Sequence, residues 1–293
     1  MQDHKENTSH VIRVILKHRT GNQLFQYAVG RHLAVKHNAK LMLDVSRYGL
    51  GYKERTAALR RFELEARICN PLPSLVFKRL TGRYLWETTA KRIYIEQDHR
   101  FDPEILRLPD GSTLNGYFQS EKYFRDIAEI LKDELNFEFY WKTSDETAKM
   151  LSRIRSSNSV AVHVRRRDEY IRNPRFHVCN QRYYALAMDF FRDHFAHPTF
   201  FVFSDNPEWA SQVISGKDCV FCALKQSTWD HLNDMRLMSH CRHNIISNSS
   251  FAWWGAYLNK NKRKKVVCPY KWVNDDDVPI EDKLCRDWVK IIF

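Results

Sequence analysis

An α/β fold built on a parallel, doubly wound sheet is what this sequence predicts, and three observations carry that expectation. Short β-branched runs alternate with amphipathic helical ones, and no repeat or low-complexity tract interrupts them. The length, 293 residues, exceeds the ~100 to 150 residues most usual for one domain, so two domains or one large one are expected. With 43% hydrophobic and 28% charged residues, the composition excludes a disordered or fibrous protein.

Taken in order, residues 11–16 read as a strand, 22–37 as a helix with Leu24, Phe25, Ala28 and Val35 near one face, and 40–45 as the next strand. Together they make one βαβ unit. From about 46 to 140 the pattern is less regular, carrying Pro71, Pro73, Pro103 and Pro109, a short strand around 113–118 and an amphipathic helix over 121–135. The alternation then sharpens, with strands at 159–164, 199–203, 218–221, 244–247 and 265–268. Helical spacing over 180–195, 207–214, 229–241 and 249–259 fills the gaps between them. In such a sheet, ligands lie beyond the carboxyl ends of the strands. The domain junction is placed within 139–158, which gives an amino-terminal domain of residues 1–140 and a second of 141–293.

Forty-seven Lys and Arg against 35 Asp and Glu leave a net charge of +12, which favours an anionic partner: a phosphorylated ligand, a nucleic acid or an acidic membrane surface. The apolar runs fall far short of the ~20 residues that span a bilayer. The polar opening, MQDHKENTSH, lacks the apolar centre of a secretion signal, so a cytoplasmic chain is expected, with peripheral contact at the inner face of a membrane left open. Seven cysteines suit free thiols in a reducing compartment better than a disulfide framework. Cys219 and Cys222 form a C-x-x-C, but no second pair supplies the remaining ligands of a zinc site.

Neither G-x-x-x-x-G-K-[ST] nor G-x-G-x-x-G occurs, which removes P-loop and dinucleotide readings. In their place, the strand at 160–164 runs into Arg165-Arg166-Arg167-Asp168. Arginine forks match phosphate oxygens, and converging guanidiniums could hold a diphosphate leaving group without metal. The plainer alternative is a solvated basic turn paired with Asp168 and Glu169. Side chains alternate along a strand, so His163 shares a face with Arg165 and points to the ligand edge, unless it is a satisfied core histidine. Asp205, at the end of the 199–203 strand, could accept from a ribose hydroxyl or a guanine N–H pair, or simply cap a helix. Asn248-Ser249-Ser250 opens a helix whose first-turn N–H groups and hydroxyls make an anion site. Asp275-Asp276-Asp277 resembles a metal-holding acidic triplet but sits in a polar segment near the end, where a solvated loop is the ordinary reading. His240 and His243 bracket Cys241 without the setting of a metal site.

Three segments together resemble the family 11 glycosyltransferases, the α-1,2-fucosyltransferases, and more distantly the α-1,6- and protein O-fucosyltransferases. They are Gly21-Asn22-Gln23-Leu24-Phe25-Gln26-Tyr27-Ala28, His163-Val164-Arg165-Arg166-Arg167-Asp168-Glu169-Tyr170, and residues 238–259 with the core Asn-Ser-Ser-Phe-Ala-Trp-Trp-Gly. Phe203-Ser204-Asp205-Asn206 and the closing Pro269, Trp272 and Trp288 extend the likeness. Two departures stand out. A loop with one glycine, Lys17-His18-Arg19-Thr20-Gly21, replaces the usual Gly-Gly-Leu-Gly, and Arg-Arg-Arg-Asp-Glu-Tyr replaces Arg-Arg-Gly-Asp-Tyr.

The resemblance implies a glycosyltransferase B architecture, two Rossmann-like domains facing across a cleft, the first on the acceptor side and the second binding GDP-fucose. It also implies inverting transfer of fucose to the 2-hydroxyl of a terminal galactose, with no metal or other cofactor. By motif, Arg165 and its neighbour Arg166 would grip the diphosphate, His163 and Asp205 would serve the nucleoside, and Asn248, Ser249 and Ser250 would complete the phosphate site. Asn22 and Gln23 would face the donor phosphate and acceptor. Asp168 is the candidate base, with Glu169 second, or else it orients the arginines. A degenerate sugar- or nucleotide-binding protein is the first rival. A basic nucleic-acid-binding protein is the second; it leaves the ordered motifs unexplained, so no nucleic-acid partner is expected.

Overall fold

The structure is a computed structural model that describes residues 10–51, 53, 56, 58–137, 144–166, 169–222, 230–275 and 280–293. The chain divides into two units, Met1–Asn136 and Phe137–Phe293.

In the first unit, β1 (Val11–Ile15), β2 (Lys40–Asp44), β3 (Arg67–Ile68), β4 (Arg92–Ile95) and β5 (Ser112–Asn115) form a parallel sheet in the order β3-β2-β1-β5-β4. The helix Thr20–His37 crosses from β1 to β2 and ends at Asn38, whose left-handed backbone (φ 48) closes the last turn. Gly30 lets this helix approach the sheet: a Cβ there would meet Val14 Cγ2 at 2.5 Å and Leu41 Cδ1 at 2.8 Å. The expected single helix over 121–135 is broken into 3₁₀ turns at Glu121–Tyr123 and Arg125–Ile127, followed by a short α-helix Ala128–Glu134. The strands β3 and β4 fall in the stretch whose pattern is least regular.

In the second unit, β6 (Asn158–Val164), β7 (Pro198–Ser204), β8 (Cys219–Phe221), β9 (His243–Ile245), β10 (Val266–Pro269) and β11 (Val289–Ile291) run parallel in the order β11-β10-β9-β6-β7-β8. This is the doubly wound order, with the reversal between β6 and β9. The helix Gln181–His194 begins at Asn180, whose side chain accepts from the Tyr183 N–H. It lays Tyr183, Tyr184, Ala187 and Phe191 against Val160, Val162 and Val164 of β6, as alternation along the strand requires. Near the opposite end of the chain, the helix Ser250–Tyr257 buries Trp253 and Trp254 completely and packs on the helix Asp230–His240. The helix Asp145–Arg155, within the stretch read as a junction, is capped by Ser144 and packs on β6 and on Asp230–His240. No described helix is long and apolar enough to cross a membrane.

Candidate functional site

The reversal of strand order brings the ends of β6 and β9 side by side, and the basic turn and the Asn-Ser-Ser helix start meet there. Residues more than eighty positions apart become neighbours: the His163 ring Nδ1 lies 2.8 Å from the Ser247 hydroxyl. His163 is buried and lies beside Phe251, with ring centroids 5.8 Å apart and planes tilted by 39°. Burial first, and then the Arg165 charge, push its pKa down to about 3, so the ring is neutral at any working pH. It is a satisfied histidine that ties β6 to the loop after β9.

Arg165 leaves the strand end and pairs with Asp205 at the end of β7; both side chains are about five-sixths buried. The second Asp205 oxygen accepts the Arg166 backbone N–H at 2.8 Å. One carboxylate thus holds both the guanidinium and the turn that carries it, which sets the arginine fork before any ligand arrives. The Arg165 guanidinium also lies 5.1 Å from the Tyr170 ring centroid, and the Arg166 guanidinium 4.9 Å from that of Trp209. Asn206 caps the helix Pro207–Val213, accepting from the Trp209 N–H at 3.0 Å, so the cap that Asp205 could have supplied comes from its neighbour.

Asn248 is turned inward. Its amide donates to the carbonyls of Phe176 and Trp272 at 3.2 and 2.9 Å, and its carbonyl side chain accepts from the Cys179 thiol. The Tyr170 hydroxyl donates to its backbone oxygen at 2.8 Å, which links the turn beyond Arg165 to the helix start. Ser249 occupies the cap position but makes no side-chain capping bond, and Ser250 opens the helix half-exposed. Among the described residues no side chain caps this first turn, and its N–H groups beside the arginine turn make a setting suited to phosphate oxygens.

The first unit has its own reversal between β1 and β5. After β1 the chain enters a left-handed conformation at His18 (φ 64), within the loop that keeps a single glycine, Gly21. The His18 carbonyl accepts from the Gln23 amide at 3.0 Å and from the Tyr48 hydroxyl at 2.9 Å, while its ring Nε2 meets the Tyr117 hydroxyl at 2.6 Å. Gln23 is fully buried and serves this loop rather than facing outward. Gln26 joins the Lys17 N–H to the Gly116 carbonyl, and Gln119 donates to the half-buried Asn22. Lys17 lies 4.2 Å from the Tyr117 ring centroid; burial lowers its pKa against the opposing pull of Glu96.

Among the residues singled out from sequence, the structure gathers His163, Arg165, Arg166, Asp205, Asn248, Ser249 and Ser250 at one switch point, and Asn22 with Gln23 at the other. Arg167 and Asp168 lie outside the described residues, as do Asp276 and Asp277, and nothing is described of the Glu169 side chain. Asp275 pairs on the surface with Arg175 at 2.7 Å. His240 and His243 are each engaged with the backbone, at Arg236 and Lys265. All seven cysteines are free thiols. Ser247, Tyr48, Tyr117 and Trp209 escaped sequence reasoning because each acts on a residue far away in the chain; Tyr170 had the one legible signal, its place in the basic motif.

A family model described as glycosyl transferase family 11 matches residues 94–292. An alpha-1,2-colitosyltransferase from Escherichia coli is 31% identical over 92% of this chain and 95% of its own length. The galactoside alpha-(1,2)-fucosyltransferase 1 of Saimiri boliviensis boliviensis is 31% identical over 50% of this chain and 42% of its own. The solved NodZ alpha-1,6-fucosyltransferase soaked with GDP-fucose aligns at a TM-score of 0.49 and 16% identity, covering 85% of this chain and 92% of that one. Two parallel-sheet α/β units, an arginine turn locked at the switch point of the second, and a family match across more than half the chain lead to one statement: the protein belongs to glycosyl transferase family 11.

Proposed function

We propose that the chain transfers fucose from GDP-fucose to the 2-hydroxyl of a terminal galactose, with inversion and without metal. The observation that carries this reading is the Arg165 fork, preset by Asp205 beside the open first turn of the helix Ser250–Tyr257. As the bond from the fucose anomeric carbon to the diphosphate breaks, negative charge grows on the leaving oxygens, and donors already in place stabilise it at that moment. The acceptor oxygen forms the new bond from the opposite face and gives its proton to a carboxylate, for which Asp168 is the candidate. The α-1,2 linkage is supported by the names of both relatives above, and the galactoside acceptor by one of them. The first unit, with Asn22 at its switch point, is assigned the acceptor side. Seven free thiols support a reducing, cytoplasmic setting.

The E. coli relative, similar along nearly the whole chain, favours a second reading in which the sugar is colitose, which is fucose lacking its 3-hydroxyl. Transfer rates with the two GDP-sugars, with and without EDTA, and nuclear magnetic resonance of the product separate the readings. Faster transfer of colitose replaces the donor sugar in the proposal. A linkage elsewhere than the galactose 2-hydroxyl overturns the acceptor, loss of turnover with EDTA overturns metal independence, and the absence of any transfer leaves a binding protein. Asp168→Asn divides base from orienter: GDP affinity holds while transfer collapses if Asp168 takes the proton, and both fall together if it orients the arginines.

A further inference from the structure

The helix Leu72–Thr81 in the first unit turns its apolar face outward. At about 100° per residue, Leu72, Val76 and Leu80 fall within roughly 80° of one another. They are 51%, 58% and 79% exposed. Ser74, on the opposite side, is buried, and its hydroxyl accepts the Leu85 N–H at 3.1 Å. A surface helix ordinarily places its polar residues outward, and here that arrangement is reversed. Leu50 extends the apolar surface, 76% exposed on the segment Ser46–Gly51 that packs against the helix.

Basic residues border this face. At the same spacing Arg79 falls about 20° from Leu72, and Arg83 follows directly on Gly82, which ends the helix. Arg79 and Arg83 are exposed, while Lys78 folds over Tyr84, its ammonium 2.8 Å from the phenol oxygen and 4.1 Å from the ring centroid. A second copy of the chain seated on this face would bring two basic borders together, which like-charge repulsion opposes. An apolar stripe bordered by cations matches a surface that offers acyl chains beneath anionic headgroups.

We propose that the helix Leu72–Thr81 is an interfacial anchor that lays Leu72, Val76 and Leu80 into an anionic phospholipid surface, with the adjoining Arg79 and Arg83 on the headgroups. It goes beyond the transfer reaction and stands or falls without it. The test floats the full chain with vesicles of phosphatidylcholine alone and of phosphatidylcholine with phosphatidylglycerol. The chain is expected to float with the anionic vesicles only, and less so as salt is raised. Val76→Asp with Leu80→Asp, and separately Arg79→Glu with Arg83→Glu, are each expected to lower the bound fraction at least roughly tenfold at an unchanged unfolding temperature. Lys260→Glu with Lys262→Glu, which removes equal charge from the second unit, is expected to leave binding in place. Equal binding to neutral vesicles, no binding by the parent, or equal loss in the Lys260 and Lys262 variant overturns the proposal. So does a parent dimer in solution that Val76→Asp with Leu80→Asp dissociates, because the face then belongs to a second copy.

Discussion

Replacing Asp205 by Asn keeps the shape of the side chain and an acceptor for the Arg166 N–H, but removes the charge that holds the Arg165 guanidinium. The two side chains are 15% and 17% exposed. Unit charges about 4 Å apart at an effective dielectric of ~20 interact by ~4 kcal/mol, an upper bound before desolvation is counted. Breaking a fully buried pair costs ~3 to 5 kcal/mol, and the residual exposure of this one screens it below that range. About 2 kcal/mol, or roughly 30-fold, is the resulting expectation for lost preorganisation. Because the arginine acts on charge that develops as the diphosphate leaves, the loss should appear in kcat more than in donor KM. The guanidinium can still meet phosphate, so affinity for GDP should hold. Initial rates with GDP-fucose, together with calorimetry using GDP and inosine diphosphate, test this. If Asp205 reads the guanine amino group instead, Asp205→Asn weakens GDP while sparing inosine diphosphate, and that pattern, or kcat/KM within about threefold of the parent, refutes the positioning role.

Arg165→Ala is expected to lower kcat/KM by roughly 100- to 1000-fold, and Arg165→Lys to recover little, because a point charge cannot reproduce the bidentate fork; near-parental rates for either variant would transfer the role to Arg166. His163, with its folded pKa depressed to about 3 against ~6.5 unfolded, binds its proton more readily in the unfolded chain, so its contribution is complete above pH ~6.5 and is lost as pH falls toward 3. Between pH 7 and 5.5 this amounts to about 1 kcal/mol, which urea unfolding should show in the parent and not in His163→Gln; equal slopes for the two would mean that the ring is solvated in the folded state. His243, depressed to about 4 chiefly by burial, acts in the same direction and remains in both proteins. Gly30→Ala gains about 1 kcal/mol of helix propensity but drives its methyl into Val14 and Leu41, and overpacking of ~1 to 3 kcal/mol should leave the variant less stable in urea; a variant as stable as the parent would show that the helix can lift off the sheet without penalty.

Local periodicity makes most of the second unit legible in the sequence. The strand over 158–164 alternates valines with Ala161 and His163, and the helices Gln181–His194 and Pro207–Val213 lie where the helical spacing over 180–195 and 207–214 put them. These signals survive because each depends on residues within one or two turns of one another. The strands β3 and β4 did not declare themselves: β3 has two residues, and β4, at the sheet edge, exposes Ile93 and Ile95 where alternation would have them buried. Over 121–135 the spacing reads as one helix, yet the helix proper begins at Ala128 after two 3₁₀ turns that pack Tyr123, Phe124 and Ile127 inward. Chemistry-bearing residue types could likewise be named from the chain alone, since three arginines after a buried strand and Asn-Ser-Ser before a helix are local patterns. Their duties could not. Asp205 is taken up by Arg165 and the Arg166 N–H, Asn248 by Phe176 and Trp272, and Gln23 by His18 and Tyr48. A hydrogen bond is satisfied by whichever donor or acceptor the fold brings within about 3 Å, and for these side chains the partner arrives from another strand, another loop or the far end of the domain.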